Sequence, residues 1–306
     1  MKNNWRLAQC KKKIQGVIAV PLTPFDQDGN IDYTAIEEII EFKICKGIHG
    51  LFPCGSVSLG PLMKTEERKQ ILEFIVKVNQ ERVPIIAQIG AADTRTAVDL
   101  AHHAQSLGVD AIASIPPFYI PTDEEAMYEH FREIKDAAKI PVYAYNNLWT
   151  GKIISPRLFK KLVDLGYQGM KDAGENILLH YNYFRLAPPS FNLLMGNETL
   201  ALPAFVMGIN GFTSGTVNAF PELNLELYRS FKKGNLKKAA KLQQKILQLT
   251  EILSIAPVIS NIYACIKMRG INFGQPRRPL RAVSKELQEE LREKISQLGL
   301  LEEPYY

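Results

Sequence analysis

Short apolar runs alternate with longer stretches of helical periodicity up to about residue 234 of this chain. A short apolar run bounded by turn residues is typical of a buried strand, and apolar residues spaced three and four apart are typical of an amphipathic helix. The apolar runs lie at 16–20, 50–53, 84–90, 110–115, 141–145, 169–171, 191–195 and 211–214. The helical stretches lie near 32–47, 65–79, 94–107, 123–138, 155–165, 174–186, 198–207 and 221–232.

Eight strand–helix units in succession predict an α/β fold, a (β/α)8 TIM barrel whose site lies at the carboxyl ends of the strands. An open, doubly wound sheet is the alternative. That architecture usually places a glycine-rich phosphate loop after its first strand. The stretch Pro-Leu-Thr-Pro-Phe at 21–25 contains no glycine, so we favour the barrel.

The end of the chain is predicted to be helical only. The stretches with helical periodicity there lie near 235–253, 257–268 and 284–298. We predict that residues 13–234 form the barrel, that 235–306 form a C-terminal helical appendage packed on it, and that 1–12 are an N-terminal extension. No low-complexity linker precedes the appendage, so we do not treat it as an independent domain.

The composition is that of an ordinary globular protein, with 46% apolar and 23% charged residues. The net charge of +5 is spread out, and the densest basic stretch, 231–245, places lysines on one helix face, so we expect no nucleic-acid partner. Four cysteines without paired spacing indicate a reducing, cytoplasmic setting. No apolar run approaches the roughly 18 residues of a membrane span. The histidines form no ligand pair, so we expect neither a metal nor a cofactor.

Side chains able to do chemistry follow several predicted strands, where a barrel has its site. Lys171 ends the sixth strand, Tyr145 ends the fifth, and Tyr119 follows the fourth. A turn rich in small residues and hydroxyls, 54–60, follows the second strand, and Thr213 lies in the eighth. Each has a structural alternative, in which the lysine pairs with a neighbouring carboxylate and the tyrosines pack in the core.

Together these residues fit a site that forms an imine. An amine in an apolar barrel mouth is desolvated, which disfavours the ammonium form and leaves a nucleophile able to condense with a ketone. Phenols can move protons, and the backbone amides of the turn at 54–60 can hold an anion. We therefore predict that Lys171 is a nucleophile rather than a partner of Asp172, and we assign Thr213 to substrate binding.

Longer motifs containing these residues run nearly end to end. They are Gly-Val-Ile-Ala-Val-Pro-Leu-Thr-Pro-Phe at 16–25, Gly-Ser at 55–56, Thr-Glu-Glu-Arg at 65–68, Pro-Phe-Tyr at 117–119, Tyr-Asn at 145–146, Gly-Met-Lys at 169–171, Gly-Ile-Asn-Gly at 208–211 and Arg-Pro-Leu-Arg at 278–281. In order and spacing the chain resembles the dihydrodipicolinate synthase/N-acetylneuraminate lyase family of pyruvate-dependent class I aldolases. The resemblance implies a barrel with a lysine Schiff base.

The resemblance also implies a role for each matching residue. Lys171 would condense with pyruvate or another 2-oxo acid, and Tyr145 would be the proton-transferring phenol beside it. Ser56 would join the proton relay, and Tyr119 would complete that relay from across a subunit interface. Gly55 and its neighbours in the turn, Ser56 and Val57, would hold the pyruvate carboxylate with backbone amides.

Two departures from the family pattern bear on the substrate. The turn reads Gly-Ser-Val-Ser-Leu at 55–59 where the family has Gly-Thr-Thr-Gly-Glu, so Val57 removes a hydroxyl and Leu59 a carboxylate. A lost hydrogen bond to a charged group is worth about 1.5–3 kcal/mol, which predicts either weaker pyruvate binding or a turn that holds another anion. After Tyr145 the lysine-pathway synthases supply an arginine for the second substrate. Here Trp149 takes that approximate place, which predicts a bulkier or less acidic aldehyde.

The leading hypothesis is a Schiff-base lyase or aldolase acting on pyruvate or a 2-oxo-3-deoxy sugar acid. Condensation of pyruvate with an aldehyde and dehydration of a 2-oxo sugar acid are alternatives within the same chemistry. A non-catalytic barrel that binds a small acid is the alternative of another class. The expected partners are a small-molecule 2-oxo acid, an aldehyde and further copies of the chain, as a homodimer or homotetramer.

Overall fold

The computed structural model describes residues 13–301, and the predicted N-terminal extension lies outside the described residues. Within residues 13–301, eight strands form one parallel sheet in the order β2-β1-β8-β7-β6-β5-β4-β3. The strands are β1 Gly16–Ala19, β2 Gly50–Leu51, β3 Ile86–Gln88, β4 Ala111–Ser114, β5 Val142–Asn146, β6 Gly169–Asp172, β7 Asn192–Met195 and β8 Gly211–Ser214. A parallel bridge between Leu51 and Ile85 joins the two ends of the sheet. The predicted TIM barrel is confirmed.

Helices follow the strands and cover the outside of the barrel. They are α1 Tyr33–Lys46, α2 Thr65–Asn79, α3 Thr94–Ser106, α4 Glu124–Ala137, α5 Pro156–Asp164, α6 Ile177–Leu186, α7 Ala201–Val206 and α8 Pro221–Lys232. Asp93, Asp123 and Ser155 cap α3, α4 and α5 by accepting from backbone amides. The sixth helix begins later than the predicted residue 174, because Asn176 caps it at Ile177.

Two apolar clusters divide the interior. The larger one lies between the strands and the helices, and the smaller one fills the barrel with inward-facing residues such as Ile18, Phe52 and Tyr145. Because side chains alternate along a strand, neighbouring residues point to different clusters. On β6 this alternation separates Lys171 from Asp172, and the β5–β6 register sets Tyr145 beside Lys171.

Three more helices follow the barrel: α9 Leu236–Leu253, α10 Val258–Met268 and α11 Lys285–Gln297. Gln243 on α9 donates to the carbonyls of Glu198 and Thr199 at 3.0 Å each and accepts from the Leu202 amide at 2.8 Å. These bonds fix α9 against the loop that follows β7. The predicted boundary near residue 234 falls in the short connection between α8 and α9.

No single helix among the described residues is long and apolar enough to cross a membrane. The α9–α10 pair passes that test of length and composition only when its two helices are taken together, and they are bent by 109° at the break.

Candidate active site

A cavity of about 750 Å³ opens where the strands end. Lys171, Tyr145, Ser56, Val57 and Thr213 all line it, although they come from four different strand–helix units. This is the carboxyl-terminal edge of the barrel, where enzymes with this fold carry their sites. The structure therefore brings together five of the residues singled out in the sequence.

The Lys171 amine is enclosed by aromatic rings rather than by carboxylates. Its side chain is 3% exposed, and its Nζ lies 4.1 Å from the Phe52 ring centroid and 4.2 Å from that of Tyr145. Burial lowers the pKa of Lys171 to about 7, and the charge of Glu198 acts in the opposite direction. Near neutral pH a large share of the amine is therefore unprotonated and nucleophilic.

The Asp172 carboxylate lies on the other face of β6. It accepts from Asn146 Nδ2 at 2.7 Å, from the Gly174 amide at 3.0 Å and from His180 Nδ1 at 2.9 Å. The alternative in which Lys171 pairs with Asp172 is therefore wrong. Instead, the residues that follow Tyr145 and Lys171 are tied to each other, which holds the phenol and the amine in a fixed relation.

Tyr145 is a buried phenol beside the amine. Burial raises its pKa well above the ordinary value, while the neighbouring Ser56 hydroxyl acts in the opposite direction. Asn147 Nδ2 donates to Ser56 Oγ at 2.6 Å and so fixes that hydroxyl. Asn147 was not among the predicted site residues, because no spacing rule connects it to a serine 91 positions away.

The turn after β2 lines the cavity with Ser56 and Val57 and contains unpaired amides. Cys54 and Leu59 have positive φ values of 60° and 62°. A side chain at Gly60 would bring its Cβ to 2.1 Å from the Cys54 carbonyl oxygen, so only glycine fits this closure. Within residues 13–301, the amide nitrogens of Ser56 and Val57 donate to no protein acceptor. Such a pair of donors can hold a carboxylate.

Gly55 and Thr213 complete the predicted set. Gly55 supports the turn rather than the cavity wall, because its carbonyl accepts from Gly60 at 3.0 Å and a Cβ would lie 3.3 Å from Val20. Thr213 is 1% exposed, lines the cavity, and its Oγ1 has no hydrogen-bond partner among the described residues. A buried hydroxyl without a partner is costly, and a bound ligand would satisfy it.

Comparison with known proteins connects this geometry to a family. The model of the dihydrodipicolinate synthetase family matches residues 13–298. The chain belongs to that family. A 4-hydroxy-tetrahydrodipicolinate synthase of Acetivibrio thermocellus is 32% identical over 282 residues, which are 92% of this chain and 96% of the relative.

Two solved structures of family relatives share the fold. A prophage protein of the dihydrodipicolinic acid synthase family from E. coli K12, in complex with pyruvate, superimposes with a TM-score of 0.90 at 26% identity and covers 94% of this chain and 100% of that one. A variant of the 2-keto-3-deoxygluconate aldolase of Sulfolobus solfataricus gives 0.87 at 28% identity, with 93% and 96% covered. As a member of this family, the present chain is an enzyme of the class I, lysine-imine type. It is a lyase or aldolase that acts on small molecules.

Tyr119 lies apart from the cavity of its own chain. Its side chain is 90% exposed, and its backbone has a positive φ of 74°. The next residue, Ile120, is 63% exposed, so the loop after β4 presents two large apolar side chains to solvent. The predicted role of Tyr119 therefore depends on a second subunit and stays a prediction.

The outer half of the cavity is formed by residues outside the predicted site set, although Trp149 was predicted to affect the choice of aldehyde. Trp149 lies in the loop after β5, and Glu198 in the loop after β7. Thr250, Glu251 and Ser254 come from the end of α9. No sequence signal places α9 over the barrel mouth, because this contact depends on how the appendage packs. Among residues 13–301, no group of three His, Cys, Asp or Glu side chains could hold a metal ion.

Proposed function

We propose that this enzyme forms an imine between Lys171 and pyruvate or a related 2-oxo acid, and makes or cleaves a carbon–carbon bond next to that imine. The observation that carries the proposal is an amine with a pKa of about 7, buried beside a protonated phenol at the base of an open cavity. Two unpaired amides, of Ser56 and Val57, lie in the turn that lines the same cavity and supply a place for the carboxylate.

The imine-forming step follows from these groups. The neutral Lys171 amine attacks the 2-oxo carbon, and the carbonyl oxygen takes up protons and leaves as water while the C=N bond forms. Tyr145 transfers these protons, because its raised pKa keeps the phenol protonated until an oxyanion develops beside it. Ser56, held by Asn147, passes the proton onward.

In the cleavage direction the imine accepts the electrons of the bond between carbons 3 and 4 of the substrate. Carbon 4 leaves as an aldehyde after its hydroxyl gives its proton to the Tyr145 oxyanion. The remaining enamine takes a proton at carbon 3, and water releases pyruvate and the free amine. The condensation direction reverses each step and uses the same groups.

The 2-oxo-3-deoxy sugar acids are the substrates that the outer cavity suits best. Trp149 lines this part of the cavity. Arg157, the arginine of the following helix α5, does not line the cavity; it is exposed and pairs with Glu124 at 3.3 Å, so it offers no partner for a carboxylate on the second substrate. The resemblance to a 2-keto-3-deoxygluconate aldolase supports this choice. Condensation of pyruvate with an aldehyde is the second candidate, supported by the relatives named as synthases. Dehydration of a 2-oxo sugar acid would use the same imine.

The proposal includes a homodimer or homotetramer in the cytoplasm. The exposed Tyr119 and Ile120 support a shared interface, because a large apolar side chain is costly to leave in water and suits a contact between identical subunits. Cys45, Cys54 and Cys265 are free thiols, which suits a reducing compartment.

Borohydride trapping tests the imine directly. Pyruvate plus borohydride should add one reduced adduct, located at Lys171 by peptide mass mapping, and Lys171→Ala should lose both adduct and turnover. Lys43 is a matched internal control, since it is fully buried with a pKa lowered by burial but lies on α1, away from the cavity. An unmodified Lys171 at saturating pyruvate would refute the imine and favour a non-catalytic barrel that binds a small acid.

A further inference from the structure

The outer half of the cavity carries only negative charge. Among the described residues that line it, the charged side chains are Lys171 at the base and Glu175, Glu198 and Glu251 further out. Once Lys171 has formed an imine, it is covalently occupied by the 2-oxo acid. The second substrate therefore meets three carboxylates and no free ammonium or guanidinium group.

The three carboxylates differ in how they are held. Glu198 is half-buried and accepts from Ser214 Oγ at 3.2 Å and from the Thr216 amide at 3.1 Å. Glu175, just beyond β6, and Glu251, on α9, are exposed, and neither side chain forms an ion pair or hydrogen bond with residues 13–301. Neither carboxylate is therefore neutralised by a partner among the described residues.

Hydroxyl side chains lie near them, among apolar lining residues such as Leu200, Val258 and Ile259. Thr199, Thr250 and Ser254 line the same outer half. Deeper in the cavity, the buried Thr213 hydroxyl has no partner in the described chain, which independently indicates a polar ligand. Carboxylates accept strong hydrogen bonds from hydroxyl donors, so this lining suits a polyhydroxylated chain.

A negatively charged aldehyde finds no such partners. Enzymes commonly bind a phosphate or carboxylate through arginine or through paired amides. Here a terminal acid group would instead face Glu175 and Glu251, and like charges placed together lower affinity.

We propose, on the basis of the imine chemistry above, that Glu175 and Glu251 select the second substrate by charge. The aldehyde released or consumed is uncharged and carries hydroxyl groups. Its phosphorylated or carboxylated counterpart is disfavoured by the charge of the two carboxylates rather than by its size. Glu175 and Glu251 are specificity residues in this scheme and take no part in imine formation.

The test compares glyceraldehyde with glyceraldehyde 3-phosphate as partners for pyruvate, since the two share one carbon skeleton. Wild-type enzyme should favour glyceraldehyde in kcat/KM by roughly tenfold, the effect expected of two solvent-screened carboxylates on a doubly charged phosphate. The double variant Glu175→Gln/Glu251→Gln should remove most of that preference. Raising the ionic strength should narrow the preference in wild-type enzyme and leave the double variant unchanged.

The control variant is Glu289→Gln, an exposed glutamate on α11 that does not line the cavity, and it should keep the wild-type preference. Equal or better use of the phosphorylated aldehyde by wild-type enzyme would overturn the proposal, as would a preference that survives in the double variant. Failure of both aldehydes while pyruvate is still trapped on Lys171 would also overturn it and leave the imine chemistry intact. Failure of trapping would refute the imine itself.

Discussion

The burial that makes Lys171 reactive should also lower the free energy of unfolding of the protein. Its pKa is about 7 in the folded protein, against an ordinary value of 10.5. Between these pH values the unfolded chain keeps the proton and the folded chain releases it, so the group destabilises the fold more as the pH falls. At about 1.36 kcal/mol per pH unit, the penalty is about 4 kcal/mol at pH 7 and about 1 kcal/mol at pH 10.

Replacement by an uncharged side chain of similar length removes this penalty. Lys171→Met should therefore unfold with a free energy about 4 kcal/mol above that of wild-type enzyme at pH 7, and the excess should fall by about 3 kcal/mol at pH 10. Any change in packing adds a constant to both values. The measurement is denaturant unfolding of the two proteins at both pH values and at one protein concentration, because oligomerisation also contributes to stability.

Two further lysines serve as comparisons for Lys171, one of them buried and the other exposed. Lys43 is fully buried, and burial lowers its pKa well below the ordinary value, so Lys43→Met should also stabilise more at pH 7 than at pH 10 while pyruvate trapping continues. Lys241 is exposed on α9, and Lys241→Met should change the free energy of unfolding little at either pH. The reasoning fails if the excess stability of Lys171→Met is the same at pH 7 and pH 10.

Three other predictions concern the reaction itself. Tyr145→Phe should lower kcat by about 10²–10⁴-fold while imine trapping stays detectable, and a near-normal kcat would reassign Tyr145 to packing. Val57→Thr should lower the KM for pyruvate, since it restores a hydrogen bond worth about 1.5–3 kcal/mol at most; an unchanged or higher KM would contradict this. Inactive Tyr119→Phe and Lys171→Ala proteins should regain activity when mixed and allowed to exchange subunits, whereas no recovery despite demonstrated exchange would restrict Tyr119 to its own subunit.

The position of the site was predictable because a parallel barrel leaves few choices. Once eight apolar runs alternate with helices, the residues that end the strands must meet at one edge, and Lys171, Tyr145 and Ser56 do so. The caps were equally local, since an aspartate such as Asp93 or Asp123 bonds an amide only three residues ahead. Features that depend on residues close together in sequence could therefore be predicted from the sequence.

The turn after β2 was predictable only in part. Its small residues predicted an anion-binding turn, but the sequence did not reveal that Ser56 and Val57 keep unpaired amides or that Asn147 fixes the Ser56 hydroxyl. The bond from Asn147 joins segments 91 positions apart, and such a contact leaves no periodic signal. The amides stay unpaired because of how the turn closes on itself between Cys54 and Gly60, and hydrophobic periodicity does not encode that backbone path.

The sequence by itself determined the order of strands and helices and the residues that end each strand, because hydrophobic periodicity and capping act over a few residues. Only the tertiary structure decided what surrounds them. Phe52 and Tyr145 enclose the Lys171 amine and so lower its pKa, and the pleat of β6 sends Asp172 to the far side. The packing of α9 over the mouth adds Glu251, and with it the charge that a second substrate meets. Desolvation and electrostatic fields arise from everything within a few ångströms, so they exist only once distant segments have come together.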